Sequence, residues 1–360
     1  MIFLRVLSFL LGITLILWSL FSAVQTLILP RSTQDKLTRM LFQSMRGIFS
    51  LRLRRLRTYS EKDRFMAYYA PVALLSLVPT WLTLLLLGYT GIYWSMGGLS
   101  WQEAFRISGS SLFTLGFAIP KSLAATFLEF SEAALGLMMV AVLIAYLPTM
   151  YAAFSRREVA VTLLDVRAGN PPSATEMLTR YHRIHGFEQL KEQWQLWENW
   201  FSDIEESHTS LPALIFFRSP KPDRFWVNAA GAILDTASLT LSAVDIPDSP
   251  YAALCIRAGF LALRHIADSS NLTYPHDPHY PDQTISITRQ EFDQVCDELK
   301  SQGVPIRSDR EQAWQDFAGW RVNYDLVLLK LAKLTMAPEA PWLVDRSLIT
   351  MSTTSPSQDS

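Results

Sequence analysis

The sequence predicts an all-α membrane protein with three transmembrane helices, a re-entrant loop between the second and third, and an all-α cytoplasmic domain. Composition is the first reason. Apolar types make up 49% of the chain, charged types only 18%, and mean hydropathy is +0.15, whereas ordinary globular domains carry roughly 25% charged residues. Charge distribution is the second. Residues 1–154 hold 13 Lys/Arg against 6 Asp/Glu, and residues 155–360 hold 19 against 27, so a balance of +7 is followed by one of −8. The third is the presence of three long uncharged stretches. A disordered chain and a globally basic nucleic-acid binder are both excluded by this pattern, and no nucleic-acid partner is expected.

Residues 1–30 form the first expected span. From 6 to 30 there are 25 positions without a charge, enough at about 1.5 Å per residue to cross a ~30 Å hydrocarbon core. A cleaved signal would have an apolar region of only about 7–15 residues, so a retained helix is expected. The second dense stretch, 72–94, is flanked by Tyr68, Tyr69, Tyr89, Tyr93 and Trp94, as an interfacial aromatic belt would be. Pro79 inside it predicts a kink. The third, 133–154, ends at Arg156 and Arg157.

Orientation follows from the linker 31–64, which carries ten Lys/Arg against Asp35, Glu61 and Asp63. Basic residues in short loops stay on the cytoplasmic side. The pair Arg156 and Arg157 agrees, which places the C-terminal domain in the cytoplasm and residues 95–132 outside. A multi-pass protein of the cell membrane is expected. The run LRLRRLR at 51–57 is expected to touch anionic lipid headgroups.

The external segment is too apolar for a water-exposed loop. Ser100 and Glu103 have capping-box spacing and predict a helix to about Ser111. Residues 112–120 follow as an extended apolar stretch that contains Gly116 and stops at Pro120. Non-helical backbone at membrane depth survives only when buried in protein or lining water.

Outer helix, short helix, Thr-x-Gly-aromatic and inner helix together resemble the two-helix pore module of potassium channels, over residues 65–155. That family's filter is Thr-Val-Gly-Tyr-Gly, whose carbonyls replace the ion's hydration shell. The resemblance puts Thr114, Leu115, Gly116, Phe117 and Ala118 in the filter positions. Ser110 and Ser111 fall where the family often has Ser or Thr. It implies a homotetramer, since one chain supplies one loop, with K+ as the permeant ion and no other cofactor. Two positions depart from the family. Ala118 stands for a glycine, and a left-handed alanine would cost about 1–2 kcal/mol. Ile119 stands where an Asp is usual.

On the inner helix, Gly136 and Pro148 are candidate gate hinges, since both loosen helical hydrogen bonding; close packing at Gly136 is the alternative. Glu129 and Glu132 could ring an external mouth in a tetramer.

Residues 156–345 read as a helical domain. Ser173 and Glu176 predict a capped helix ending near Gly186. Leu190, Trp194, Trp197, Phe201 and Ile204 lie at helical spacing over 188–206. Further helices are expected at 222–243, 250–268, 288–302 and 309–336. The apolar 225–243 contains Asn228 and Asp235 and is expected to be a core helix, not a fourth span. His276, Asp277 and His279 sit in a proline-rich loop without a completing ligand, so no metal site is expected. Cys255 and Cys296 are expected as buried thiols. No phosphate loop, dinucleotide fingerprint or nucleophile elbow is present, so an enzyme is not expected. Residues 346–360 are expected to be disordered. The resulting expectation is a potassium-channel-like cation channel subunit with a cytoplasmic regulatory domain. Its rival is a non-conducting scaffold or sensor that retains the pore hairpin.

Overall fold

The computed structural model describes residues 2–27, 35–56, 58–120, 122–221 and 224–343. Arg31, Arg57, Lys121 and the C-terminal tail lie outside the described residues. Among the described residues the fold is all-α, without a strand. Three stretches, Ile2–Leu27, Glu61–Ser95 and Leu123–Ala168, are long and apolar enough to cross a membrane, and they overlap the three expected spans. The chain divides into two compact units, Met1–Arg55 with Tyr68–Ala152, and Leu56–Ala67 with Ala153–Ser360.

The first unit contains α1 (Ile2–Leu27), α2 (Lys36–Leu53), α4 (Tyr69–Leu75), α5 (Leu77–Ser95), α6 (Trp101–Leu112) and the first part of α7 (Leu123–Ala168). The linker is not a plain loop. Asp35 caps α2 by accepting from the amides of Leu37 and Thr38. The Tyr69 hydroxyl then holds α2 by donating to the Phe42 carbonyl at 3.1 Å, with the rings of Phe42 and Phe49 edge-on to it. The break between α4 and α5 falls at Ser76, three residues before Pro79. Proline has no N–H for the Leu75 carbonyl and its ring crowds that oxygen, so the interruption appears one turn upstream of the proline itself. Pro148, by contrast, sits within an unbroken α7. That helix has 46 residues, about 69 Å at 1.5 Å per residue, roughly twice what a crossing needs.

The α1–α5 contact is built on small residues, which let backbones approach when apolar surface alone gives no preference between protein and lipid. A Cβ at Gly12 would lie 2.5 Å from the Gly88 carbonyl oxygen, and one at Gly91 would lie 3.2 Å from that of Ser8. Ser8 Oγ donates to the Gly91 carbonyl at 2.9 Å, Ser19 Oγ to that of Trp81 at 3.1 Å, and Trp81 Nε1 to Ser22 Oγ at 3.0 Å. Gly12→Leu is therefore expected to cost about 1–3 kcal/mol by overpacking. Thermal unfolding of the detergent-solubilised protein should show it, while Gly47→Leu, where a Cβ meets open space, should melt like wild type.

The second unit contains α3 (Tyr59–Met66), the remainder of α7, α8 (Ala174–Arg183), α9 (Leu190–Ser210), α10 (Trp226–Ser242), α11 (Pro250–Ser269), α12 (Arg289–Ser301), α13 (Arg310–Arg321) and α14 (Asp325–Thr335). Ser173 caps α8, and Thr288 with Glu291 forms a reciprocal capping box on α12. Helix α10 is the core expected from its composition, enclosed by α8, α11, α13 and α14. Trp226 of α10 and Trp194 and Trp197 of α9 are fully buried in one core, and Trp200 meets Trp197 edge-on at 4.7 Å.

One expected helix, 309–336, is instead two. Asn323 Nδ2 donates to the carbonyls of Gly319 and Trp320, and such local bonding competes with helix continuation. The break brings Arg321 and Asp325 together beside Asp235.

The turn between α9 and α10 holds α7 and α3. Buried Arg157 of α7 donates to the carbonyls of Leu214 and Phe217 at 2.9 and 2.8 Å and pairs with Glu158 at 2.8 Å. Arg218 donates to Asp63 Oδ1 of α3 at 2.8 Å and to the carbonyls of Thr335 and Met336. Buried His208 lies 3.1 Å from Arg157 Nη1. Burial and then the neighbouring guanidinium hold its imidazole well below the usual range, so it is neutral there.

Candidate functional site

The site begins at the cap of α6. Ser100 Oγ accepts from the Glu103 amide at 3.3 Å, and the Glu103 carboxylate accepts from the Ser100 amide at 2.8 Å. This reciprocal box fixes where the helix starts. Ala104, Ile107, Ser108 and Ser111 recur every three to four residues and are buried. Three serines on the last turns then bond in three directions. Ser108 Oγ reaches the Leu86 carbonyl of α5 at 3.1 Å and Glu132 Oε1 of α7 at 2.5 Å. Ser111 Oγ donates to the Glu129 carbonyl at 2.9 Å. Ser110 faces the loop.

Residues 113–120 differ from the extended stretch expected over 112–120. Thr114 has φ +52° and Gly116 has φ +70°, with Leu115 outside the left-handed region between them. The amides of Leu115 and Gly116 both turn onto the Ser110 carbonyl, at 2.8 and 3.4 Å, and the Ala118 amide donates to Ser110 Oγ at 3.1 Å. Alternating backbone handedness gathers successive N–H groups in this way. A trans peptide holds its carbonyl opposite its N–H. The carbonyls of Thr114, Leu115 and Phe117 therefore point away from Ser110, and none accepts a hydrogen bond from a described residue. The strain expected at Ala118 is absent, because its φ is not positive; Thr114 carries it instead. Leu115, Phe117 and Ile119 are 63, 56 and 78% exposed, and the Arg106 guanidinium lies over the Phe117 ring at 5.9 Å from its centroid.

The two hinge candidates separate. Gly136 lies against the end of α6, where a Cβ would be 2.9 Å from the Leu112 carbonyl oxygen. Pro148 lies twelve residues further along α7, about 18 Å by helical rise. Glu132 does not face water as a mouth residue would: it is fully buried. Its Oε2 makes no hydrogen bond of regular geometry, and the buried hydroxyl of Tyr93 on α5 is the polar group within reach of it. Ser108 is thus a site residue that sequence reading missed, while Glu132, expected at an external mouth, and Tyr93, expected in an aromatic belt, meet it inside the helix packing. The available signal was an ionisable residue inside an apolar span.

In the helical unit, His279 Nε2 lies 3.2 Å from Asp277 Oδ2 with both side chains exposed. No group of three or more potential metal ligands occurs among the described residues. Fold and site together define an all-helical protein with three helices able to cross a membrane. No family model, curated protein or solved structure matches the chain.

Proposed function

We propose that this chain is the subunit of a potassium-channel-like cation channel, conducting passively through a homotetrameric pore lined by the loop at 114–118. One observation carries the reading: Ser110 takes up the amides of Leu115, Gly116 and Ala118, which turns the opposite carbonyls outward without partners. Outward carbonyl dipoles on a short loop between apolar helices can replace a cation's hydration shell. A ring of four would converge them on one axis and cover the exposed Leu115, Phe117 and Ile119. K+ is the proposed permeant ion, and α6 followed by this loop is the proposed re-entrant element. On this reading the helical unit is a regulatory or assembly domain in the cytoplasm of a cell-membrane protein, a topology supported by the basic linker and by Arg156 with Arg157. Lipid headgroups are the proposed partners of the linker. A non-conducting scaffold draws support from the serine bonds that lock α6 to α7, since a packing hairpin would use them equally.

Reconstituted protein should pass K+ in a liposome flux assay and run as a tetramer in native mass measurement. A cysteine at Met96 should react with an impermeant thiol reagent from outside, and one at Ser44 should not. The background is clean. Cys255 and Cys296 are free and buried, and burial pushes both thiols up, Cys296 to about 11, away from the reactive thiolate. A strictly monomeric protein without flux would leave the scaffold, and reversed labelling would put the loop on the wrong side.

A further inference from the structure

The candidate filter is held on one side by Ser110, but nothing in the loop itself determines which way Ser110 faces. That is decided by the rotation and height of α6 against its neighbours. Along α7, Glu129, Glu132 and Gly136 lie on one face at helical spacing, and each receives a different part of α6. The Glu129 carbonyl accepts from Ser111, the Glu132 carboxyl from Ser108, and the bare backbone of Gly136 takes the Leu112 carbonyl. Glu132 is the only one of these three whose side chain makes the contact. It is fully buried among apolar helices, where an ionisable group is costly and is kept for a reason. The polar and titratable groups facing it are Ser108 of α6, Tyr93 of α5 and Glu129 of α7; no basic residue among the described ones pairs with it.

We propose that Glu132 is a positioning residue for ion selection: through its bond to Ser108 it sets the register of α6, and thereby the direction of the loop carbonyls opposite Ser110. This rests on the channel reading for its consequence but not for its geometry. Glu132 touches no ion. A carboxyl accepts from Ser108 through Oε1, and a glutamine keeps that carbonyl oxygen while placing an amide N–H beside the Tyr93 hydroxyl. Charge is therefore dispensable and the acceptor is not. Alanine removes the acceptor, and Ser108→Ala removes the donor.

The test uses full-length protein in liposomes, with two readouts. Hydrogen exchange at the amides of Leu115, Gly116 and Ala118 should accelerate about tenfold in Glu132→Ala and in Ser108→Ala, the effect of losing one buried hydrogen bond. The double variant should add little, and Glu132→Gln should exchange as wild type does. Amides of α1 should be unaffected throughout. The K+ to Na+ flux ratio should fall in the two alanine variants and hold in Glu132→Gln. If Glu132→Ala does not fold, Ser108→Ala carries the comparison alone. Loop exchange unchanged in Ser108→Ala, or Glu132→Gln as fast as Glu132→Ala, overturns the proposal. Wild-type protein without flux overturns the channel reading instead, while loop exchange still decides whether Glu132 positions the loop.

Discussion

Arg321→Ala should cost the helical unit about 3–5 kcal/mol, because it leaves buried carboxylates without their counter-charge. The guanidinium is fully buried. It pairs with Asp235 of α10 and, at 2.8 Å, with Asp325 of α14, and it donates to the Trp342 carbonyl at 2.8 Å. The Tyr324 hydroxyl also donates to Asp235 at 2.8 Å. Burial alone would lower the Arg321 pKa, but Asp235 and then Asp325 more than offset it and hold the group charged. In alanine's place Asp235 keeps the Tyr324 hydroxyl and Asp325 the amide and hydroxyl of Ser286, but neither acid keeps a counter-charge. For a unit of this size the loss corresponds to a melting shift of roughly 6–20 °C. Arg310→Ala is the control, since its partner Asp297 is 76% exposed and such pairs are worth at most about 1 kcal/mol. Equal shifts for the two variants, measured on the full-length protein, would show that the buried network does not hold α13 and α14 to α10. Arg321→Met with Asp235→Leu should recover part of the loss, as apolar replacement of a whole buried pair does.

That network also marks where the sequence stops being legible. Helix caps are local: Ser100 with Glu103 and Thr288 with Glu291 form reciprocal boxes, Ser173 accepts from the Glu176 amide, and each lies at the start of its helix. Apolar length is local too, and the three spans and the core helix α10 were readable from it. The break at 322–324 was not, because Asn323 is an ordinary residue until its amide finds the carbonyls behind it. Asp235 and Arg321 are 86 residues apart, and no periodicity links them. The linker helices show a subtler failure. Asp35 and the pair Thr58 with Glu61 are cap signals, but a dense basic run drew the reading toward topology instead.

The candidate site divides in the same manner. Thr114, Gly116 and Phe117 are candidates by their order along the chain alone, whereas Ser108 and Glu132 become a pair only when α6 lies on α7. Strain was sought at Ala118 by comparison with a glycine and is carried by Thr114. Which residue turns left-handed depends on where the Ser110 acceptors sit, and that is a tertiary fact.

Gly116→Val should abolish K+ flux while leaving the tetramer and its melting temperature close to wild type. The two halves of this expectation have separate origins. Gly116 has φ +70°, a region that costs a side-chain-bearing residue about 1–2 kcal/mol and a β-branched one more. The space around it is open, since an added Cβ meets no atom within 4 Å. The penalty is therefore one of backbone alone, and the loop relieves it by moving φ to negative values. That movement turns the peptide between Leu115 and Gly116, withdraws its N–H from the Ser110 carbonyl and, in the proposed tetramer, would swing the Leu115 carbonyl off the axis in every subunit. Helix packing is untouched by it. Ala118→Gly, by contrast, relieves no strain, because Ala118 is not left-handed, so flux should not rise. Thr114→Gly removes the strain at φ +52° and should raise melting slightly while loosening selectivity. A scaffold hairpin makes a different set of expectations from the same geometry. With room for the valine and no ion sites to spoil, Gly116→Val would change only local backbone exchange, and wild type, Ala118→Gly and Thr114→Gly would all be silent in a flux assay. Potassium flux in wild-type liposomes that Gly116→Val removes without lowering tetramer melting can come only from carbonyls at this loop.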